Sequence, residues 1–164
     1  MRTKAIPAPP PDLDALERVR AAVPLVPGTT EDCCARIVNR AGDVVPARDD
    51  ANRWLAFLAA LDLVAEHEGG FARTRTPLDR ETLAGRFPER VYGAREVQDI
   101  LAAADGPLDP DAVFERFEPA VPHWERDRDP GGWRDRWAER VRRLLDWLVL
   151  LDLVRETDGG YCSR

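Results

Sequence analysis

The stretch Leu55-Ala56-Phe57-Leu58-Ala59-Ala60-Leu61-Asp62-Leu63-Val64-Ala65-Glu66-His67-Glu68-Gly69-Gly70-Phe71 returns ninety residues later as Leu145-Asp146-Trp147-Leu148-Val149-Leu150-Leu151-Asp152-Leu153-Val154-Arg155-Glu156-Thr157-Asp158-Gly159-Gly160-Tyr161. Nine positions are identical, among them Leu61-Asp62-Leu63-Val64 and Leu151-Asp152-Leu153-Val154, and Phe71 is answered by Tyr161. Each copy reads as an apolar helix, a strand opening on Leu-Val, a charged turn and a return strand after Gly-Gly. A helix feeding a two-stranded hairpin, repeated at a fixed interval, predicts two units of like construction.

Working outward, Asp12 predicts the cap of a first helix from Leu13 to about Ala22, with Leu13, Leu16, Val19 and Val23 on one face, stopped by Pro24. Pro24 to Gly28 is a brief extended stretch, and Thr29 or Thr30 opens a second helix to about Arg40, with Gly42 just beyond. Asp49 or Asp50 is expected to cap a third helix to about Leu61, before a hairpin over 63–67 and 71–75. The second copy follows suit. Ala94 to Ala104 forms its first helix, with Val97, Ile100 and Leu101 inward; Gly106-Pro107-Leu108 is the short stretch, and Asp109-Pro110-Asp111 starts a helix to about Glu118. Residues 119–132 read as a long charged turn, Trp133 to about Leu151 as the third helix, and Leu153 to Ser163 as the second hairpin. Between the copies, Asp79 caps a short helix that places Leu83 and Phe87 against one domain.

This order of helix, short strand, helix, helix, strand, wing, strand resembles the winged-helix (winged helix-turn-helix) family, over residues 12–75 and 94–164, with no single subfamily indicated. The expected fold is mainly α with small antiparallel β-hairpins, as two tandem winged-helix repeats packed together. Residues 1–11 form a Pro-rich arm, extended or disordered, and 76–93 a structured connector. Packing together is expected because each half alone buries too little surface to be robust.

Thirty acidic residues against 24 basic ones give a net charge of −6, which disfavours general attraction to nucleic acid. Lys4 is the one lysine, leaving 23 arginines among the 24 basic residues. That lysine-poor, arginine- and aspartate-rich balance resembles proteins of high-GC genomes and of extreme halophiles. At molar salt the Debye length falls to about 3 Å, so an acidic total then says little against DNA binding. Three cysteines, with Cys33 and Cys34 adjacent, make no disulfide framework, and no signal sequence, long apolar run or lipidation motif is present. The reading is a reduced, cytoplasmic protein with no membrane association.

Catalytic chemistry finds little support. His67 falls in a wing strand and His123 in a loop, and neither has a nucleophile or carboxylate at a spacing that builds a triad. Cys33-Cys34 with His67 offers no metal-ligand spacing, and adjacent cysteines on a helix point about 100° apart, so at most one faces the core comfortably. No Gly-rich phosphate loop occurs; Gly69-Gly70 and Gly159-Gly160 belong to hairpin turns. The expectation is a non-enzymatic protein without metal or cofactor.

The nucleic-acid signal lies in the second repeat. Trp137, Val141, Leu144, Leu145, Leu148 and Leu151 make the core face of its third helix. They leave Arg136, Arg140 and Arg143 as an i, i+4, i+7 stripe beside Arg134 and Arg142. By the winged-helix resemblance, this helix enters the major groove of double-stranded DNA, where arginine grips guanine or phosphate. A solvated face in which Asp135 and Glu139 pair with those arginines has the same pattern. The first repeat departs from it. Its third helix opens on Asp49-Asp50 and is then apolar on most sides, with Trp54 and Phe57 wanting a cover from the other repeat or another chain. Arg73 and Arg75 alternate along its outgoing wing strand, within reach of a minor groove or backbone. Trp124 and Trp133 bracket a charged insertion, which either pins a loop or forms a protein hot spot.

Two functions therefore stand. The first is a DNA-binding transcriptional regulator using the third helix of repeat 2 and a wing. The alternative is a protein-interaction scaffold resembling tandem winged-helix subunits of chromosome-organising and transcription complexes. Homodimerisation is compatible with both, although no heptad seam demands it.

Overall fold

The computed structural model describes residues 2–164, so Met1 of the arm lies outside the described residues. The chain divides into two compact units, 1–91 and 92–164.

Unit 1 contains α1 (Leu13–Ala22), α2 (Thr30–Arg40), α3 (Arg48–Ala60), β1 (Val64–His67), β2 (Gly70–Arg73) and α4 (Arg80–Arg90). The short polar side chains ahead of these helices act as caps: Asp12 accepts from the Ala15 amide, Thr29 from Asp32 and Asp79 from Thr82. α3 differs from expectation. Its cap is Ala47, which makes no side-chain bond, while Asp49 and Asp50 lie inside the first turn. A carboxylate is stabilised anywhere in that turn by the helix dipole, so an acidic pair does not pinpoint the cap. β1 and β2 pair antiparallel from Val64 opposite Arg73 to His67 opposite Gly70. The short stretch after Pro24 adds a third backbone to this hairpin, because the Gly28 and Phe71 amides each donate to the other's carbonyl. Gly70 is required at this meeting point: a Cβ there would stand 1.7 Å from the Gly28 carbonyl oxygen.

The core of unit 1 runs through Leu16, Val19, Ile37, Leu55, Leu58, Leu63 and Val64. Both adjacent cysteines are buried, which corrects the expectation that at most one would be. α2 is enclosed on two sides, and the Cys33 thiol points at the Gly28 and Phe71 carbonyls. The apolar surplus of α3 is absorbed by α4, since Phe57 packs edge-to-face on Phe87 with centroids 6.2 Å apart. Arg86 and Arg90 of α4 donate to the Leu61 and Ala60 carbonyls at the end of α3. At the other end of the unit, Thr3 bridges to Val91, and Ile6 is buried.

Unit 2 contains α5 (Ala94–Ala103), α6 (Pro110–Phe117), α7 (His123–Arg128), α8 (Trp133–Leu150), β3 (Val154–Thr157) and β4 (Gly160–Ser163), with a 3-10 turn at Glu118–Ala120. Asp109 caps α6 by accepting from Ala112, with Pro110 at the first helical position. Residues 119–132 are not the continuous turn expected. Pro119 fits the start of the 3-10 turn and Pro122 precedes α7 as its N-cap, so each proline starts a new segment where its missing amide costs nothing. Leu108 and Tyr161 exchange backbone hydrogen bonds as Gly28 and Phe71 do in unit 1. Ile100 is only half-buried, whereas Val97 and Leu101 are core.

The repeated Leu-Asp-Leu-Val has a shared geometric cause. Asp62 and Asp152 sit in the left-handed region at φ 60° and 64°. Asp62 donates its amide to the Ala59 carbonyl and Leu63 to Leu58; Asp152 and Leu153 do the same to Val149 and Leu148. This is a Schellman termination, in which the leucine after the turn returns to the third residue from the helix end. It ends α3 and α8 alike and launches the hairpin.

Candidate nucleic-acid interface

α8 is an 18-residue helix whose core side now includes Trp133, Trp137, Val141, Leu144, Leu145, Trp147 and Leu148. The opposite surface carries the arginines. Arg134, Arg136 and Arg142 retain 61%, 44% and 49% of their side-chain exposure, and each is already paired. Arg134 bonds to Glu118 and lies over the rings of Phe114 and Trp133. Arg142 reaches Asp111 at 3.5 Å and Glu139 at 3.7 Å. Arg143 pairs with Glu139 at 3.5 Å and is half-buried. A cleft of about 410 Å³ between α6 and α8 is floored by Phe114 and Ala138 and edged by Asp111, Glu115, Asp135, Arg134 and Arg142. Three carboxylates against two guanidinia leave this cleft without a positive surplus.

Arg140 departs furthest from the expected stripe. Its guanidinium turns inward over the rings of Tyr92 and Trp137, at 5.9 and 5.5 Å, and donates to the Tyr92 carbonyl. Burial lowers its pKa to about 10, so its charge is held in the unit's interior rather than offered to a ligand. An i, i+4, i+7 spacing fixes a helical face and does not reveal which part of that face another segment covers. Tyr92, 48 residues away in sequence, was invisible to the local pattern.

Arg136 is gripped from α7 and its C-terminal flank: its Nε lies 3.3 Å from Asp129 and its Nη2 3.8 Å from Glu125. Glu125 is only 5% exposed and also binds Arg128. Sequence reading missed these two carboxylates as parts of the site. Their i, i+4 spacing was the available signal, but it sat in a segment read as a turn.

The aromatic candidates separate cleanly. Trp54 and Phe57 lie inside unit 1 at 2% and 0% exposure, edge-to-face with each other, so neither forms an accessible interface in the folded unit. Trp133 is buried beneath Arg126. Trp124 is 52% exposed with Arg128 across its ring. On the unit 1 wing, Arg73 ends β2 and is half-buried, whereas Arg75 is exposed beyond the strand instead of within it. Both wing tips are acidic, through Glu66 and Glu68 in one and Glu156 and Asp158 in the other.

Duplicated helix-turn-helix cores, each closed by a hairpin and a third paired backbone, decide the family. The chain belongs to the halobacterial double winged helix domain family, whose model matches residues 1–164. No curated protein and no solved structure matches it. Winged-helix domains are typically non-enzymatic folds with DNA-binding or regulatory roles. In this double winged helix chain, no cluster suited to a metal ion occurs among the described residues. No helix of the described residues is long and apolar enough to cross a membrane.

Proposed function

We propose that this double winged helix protein is a cytoplasmic, non-enzymatic DNA-binding regulator of transcription that meets duplex DNA with α8 of unit 2. The observation that carries this is the presence of half-exposed Arg142, in an exposed ion pair with Asp111, and of exposed Arg134, paired with the partly buried Glu118, on the helix that winged-helix DNA readers insert into the major groove. Exposed ion pairs of this kind contribute about 0–1 kcal/mol each, so phosphate can replace the carboxylate at little cost. Arg143 stands beside them, and Arg73 and Arg75 of the unit 1 wing supply a second set of backbone contacts. Arg140 belongs to the interior instead. With two or three phosphates neutralised, log K falls with log salt at a slope of roughly −2 to −3.

Fluorescence anisotropy of a random duplex across a salt series tests the reading, comparing the wild type with Arg134→Glu/Arg142→Glu. The expected result is salt-sensitive binding that the double variant loses while keeping its helical circular dichroism. A folded wild type that fails to bind at low salt would sink it.

A protein-interaction scaffold is the second reading, favoured by the exposed Trp124 and by the full pairing of the α8 arginines. Trp124→Ala would then abolish capture of the partner and leave DNA binding untouched.

A further inference from the structure

We infer that the α7 segment is an electrostatic shield built into unit 2, in which Glu125 and Asp129 hold Arg136 away from DNA phosphate. The inference rests on the DNA reading above and adds a control on its affinity. Arg136 directs Nε to Asp129 at 3.3 Å and Nη2 to Glu125 at 3.8 Å, so two sides of the guanidinium are already committed. These are not equivalent to the other pairs on α8. Glu125 is buried, and a carboxylate withdrawn from water resists losing a cationic partner. Arg128 at 3.3 Å and Arg136 at 3.8 Å pair with it, and the enclosed Arg140 also feels its charge.

The segment is also fastened. Arg126 donates to the Glu118 carbonyl and lies 4.5 Å over the Trp133 ring, which ties α7 to the start of α8. Its charge has the sign a shield needs: residues 118–132 carry Glu118, Glu125, Asp127 and Asp129 against Arg126 and Arg128, a balance of −2. Unit 1 has no helix at the corresponding place between α2 and α3. Phosphate approaching the N-terminal half of α8 therefore meets carboxylates at the position where Arg136 would otherwise reach it.

The test uses the full chain and a random duplex in the anisotropy salt series, with Asp129→Asn, Glu125→Gln and Asp129→Asn/Arg136→Ala. Asp129→Asn keeps the side-chain shape at a half-exposed site. It is expected to tighten binding about threefold at low salt and to steepen the salt slope by about 0.9, the value for one added phosphate contact. Arg136→Ala in that background is expected to cancel both gains. Glu125→Gln is expected to act in the same direction, and if thermal melting shows it unfolded, Asp129→Asn alone decides. Wild-type binding that Asp129→Asn leaves unchanged or weakens overturns the shield and spares the DNA reading. Folded wild type and folded variant that both fail to bind overturn the two together.

Discussion

Arg140 donates through Nη2 to the main-chain carbonyl of Tyr92 at 2.7 Å, joining α8 to the first residue of unit 2. The same Tyr92 returns its hydroxyl proton to the Ala120 carbonyl at 2.7 Å, and its ring meets Trp137 edge-on. Arg140→Ala removes a buried charge-assisted hydrogen bond and two ring contacts, for a loss of about 2–3 kcal/mol in unit 2. Urea unfolding followed by tryptophan fluorescence measures this, and native-like stability in the variant would refute the interior role. DNA affinity at temperatures where the variant stays folded is expected to match the wild type.

The paired left-handed aspartates respond differently to glycine. Asp152 is exposed and, among the described residues, pairs with Arg164 at 3.1 Å, so Asp152→Gly relieves backbone strain at the loss of one surface ion pair. A gain of about 0.5 kcal/mol is expected. Asp62 instead faces both Arg86 at 3.5 Å and Arg90 at 3.4 Å, which offsets the relief, and Asp62→Gly is expected to be neutral or destabilising. Chemical denaturation of the two variants ranks them, with the reverse order counting against this account.

Thiol accessibility follows burial. Cys33 and Cys34 are both pushed above the ordinary thiol range by burial, whereas Cys162 is half-exposed on β4. Under native conditions, a thiol-reactive chromophore is expected to modify Cys162 first and to reach Cys33 and Cys34 only as unit 1 opens. Three equally fast thiols would contradict the enclosed α2.

Tyr161 gives a pH signature. Burial raises its pKa, and its hydroxyl donates to Asp146 at 3.0 Å, which raises it further. The folded group keeps its proton where the unfolded one, at about 10, loses it. Its contribution to stability is therefore complete below about pH 10 and declines as pH rises beyond that value. Tyrosinate absorbance is expected to show a late-ionising tyrosine that Tyr161→Phe removes, and the variant is expected to lose less stability on the alkaline side.

Helix boundaries were legible where a capping side chain made its bond, as at Asp12, Thr29, Asp79 and Asp109. The hairpins were legible because Schellman turns at Asp62 and Asp152 impose the same residues twice. α7 was not, since six residues, five of them polar, cannot display an amphipathic period, and Glu125 and Arg126 bind outside the helix. The spacing of the arginine stripe gives a helical face but not its covering: Arg140 is enclosed by Tyr92, whereas Arg136 stays half-exposed and pairs with carboxylates of the insertion. Trp54 and Phe57 were recognised as needing cover, but the pattern within α3 did not identify α4 as the cover.

That cover fixes where the first half can be cut. A fragment ending at β2 would follow the boundary of the repeat and still leave Phe57 facing water without Phe87, and the end of α3 without its two guanidinium donors. The Thr3 amide donates to the Arg90 carbonyl at 2.7 Å, so trimming either end of the first half undoes the same stitch. The compact first unit is therefore longer than the duplicated stretch. Its edges are set by closure of the backbone between Thr3 and Val91, not by the period of the sequence.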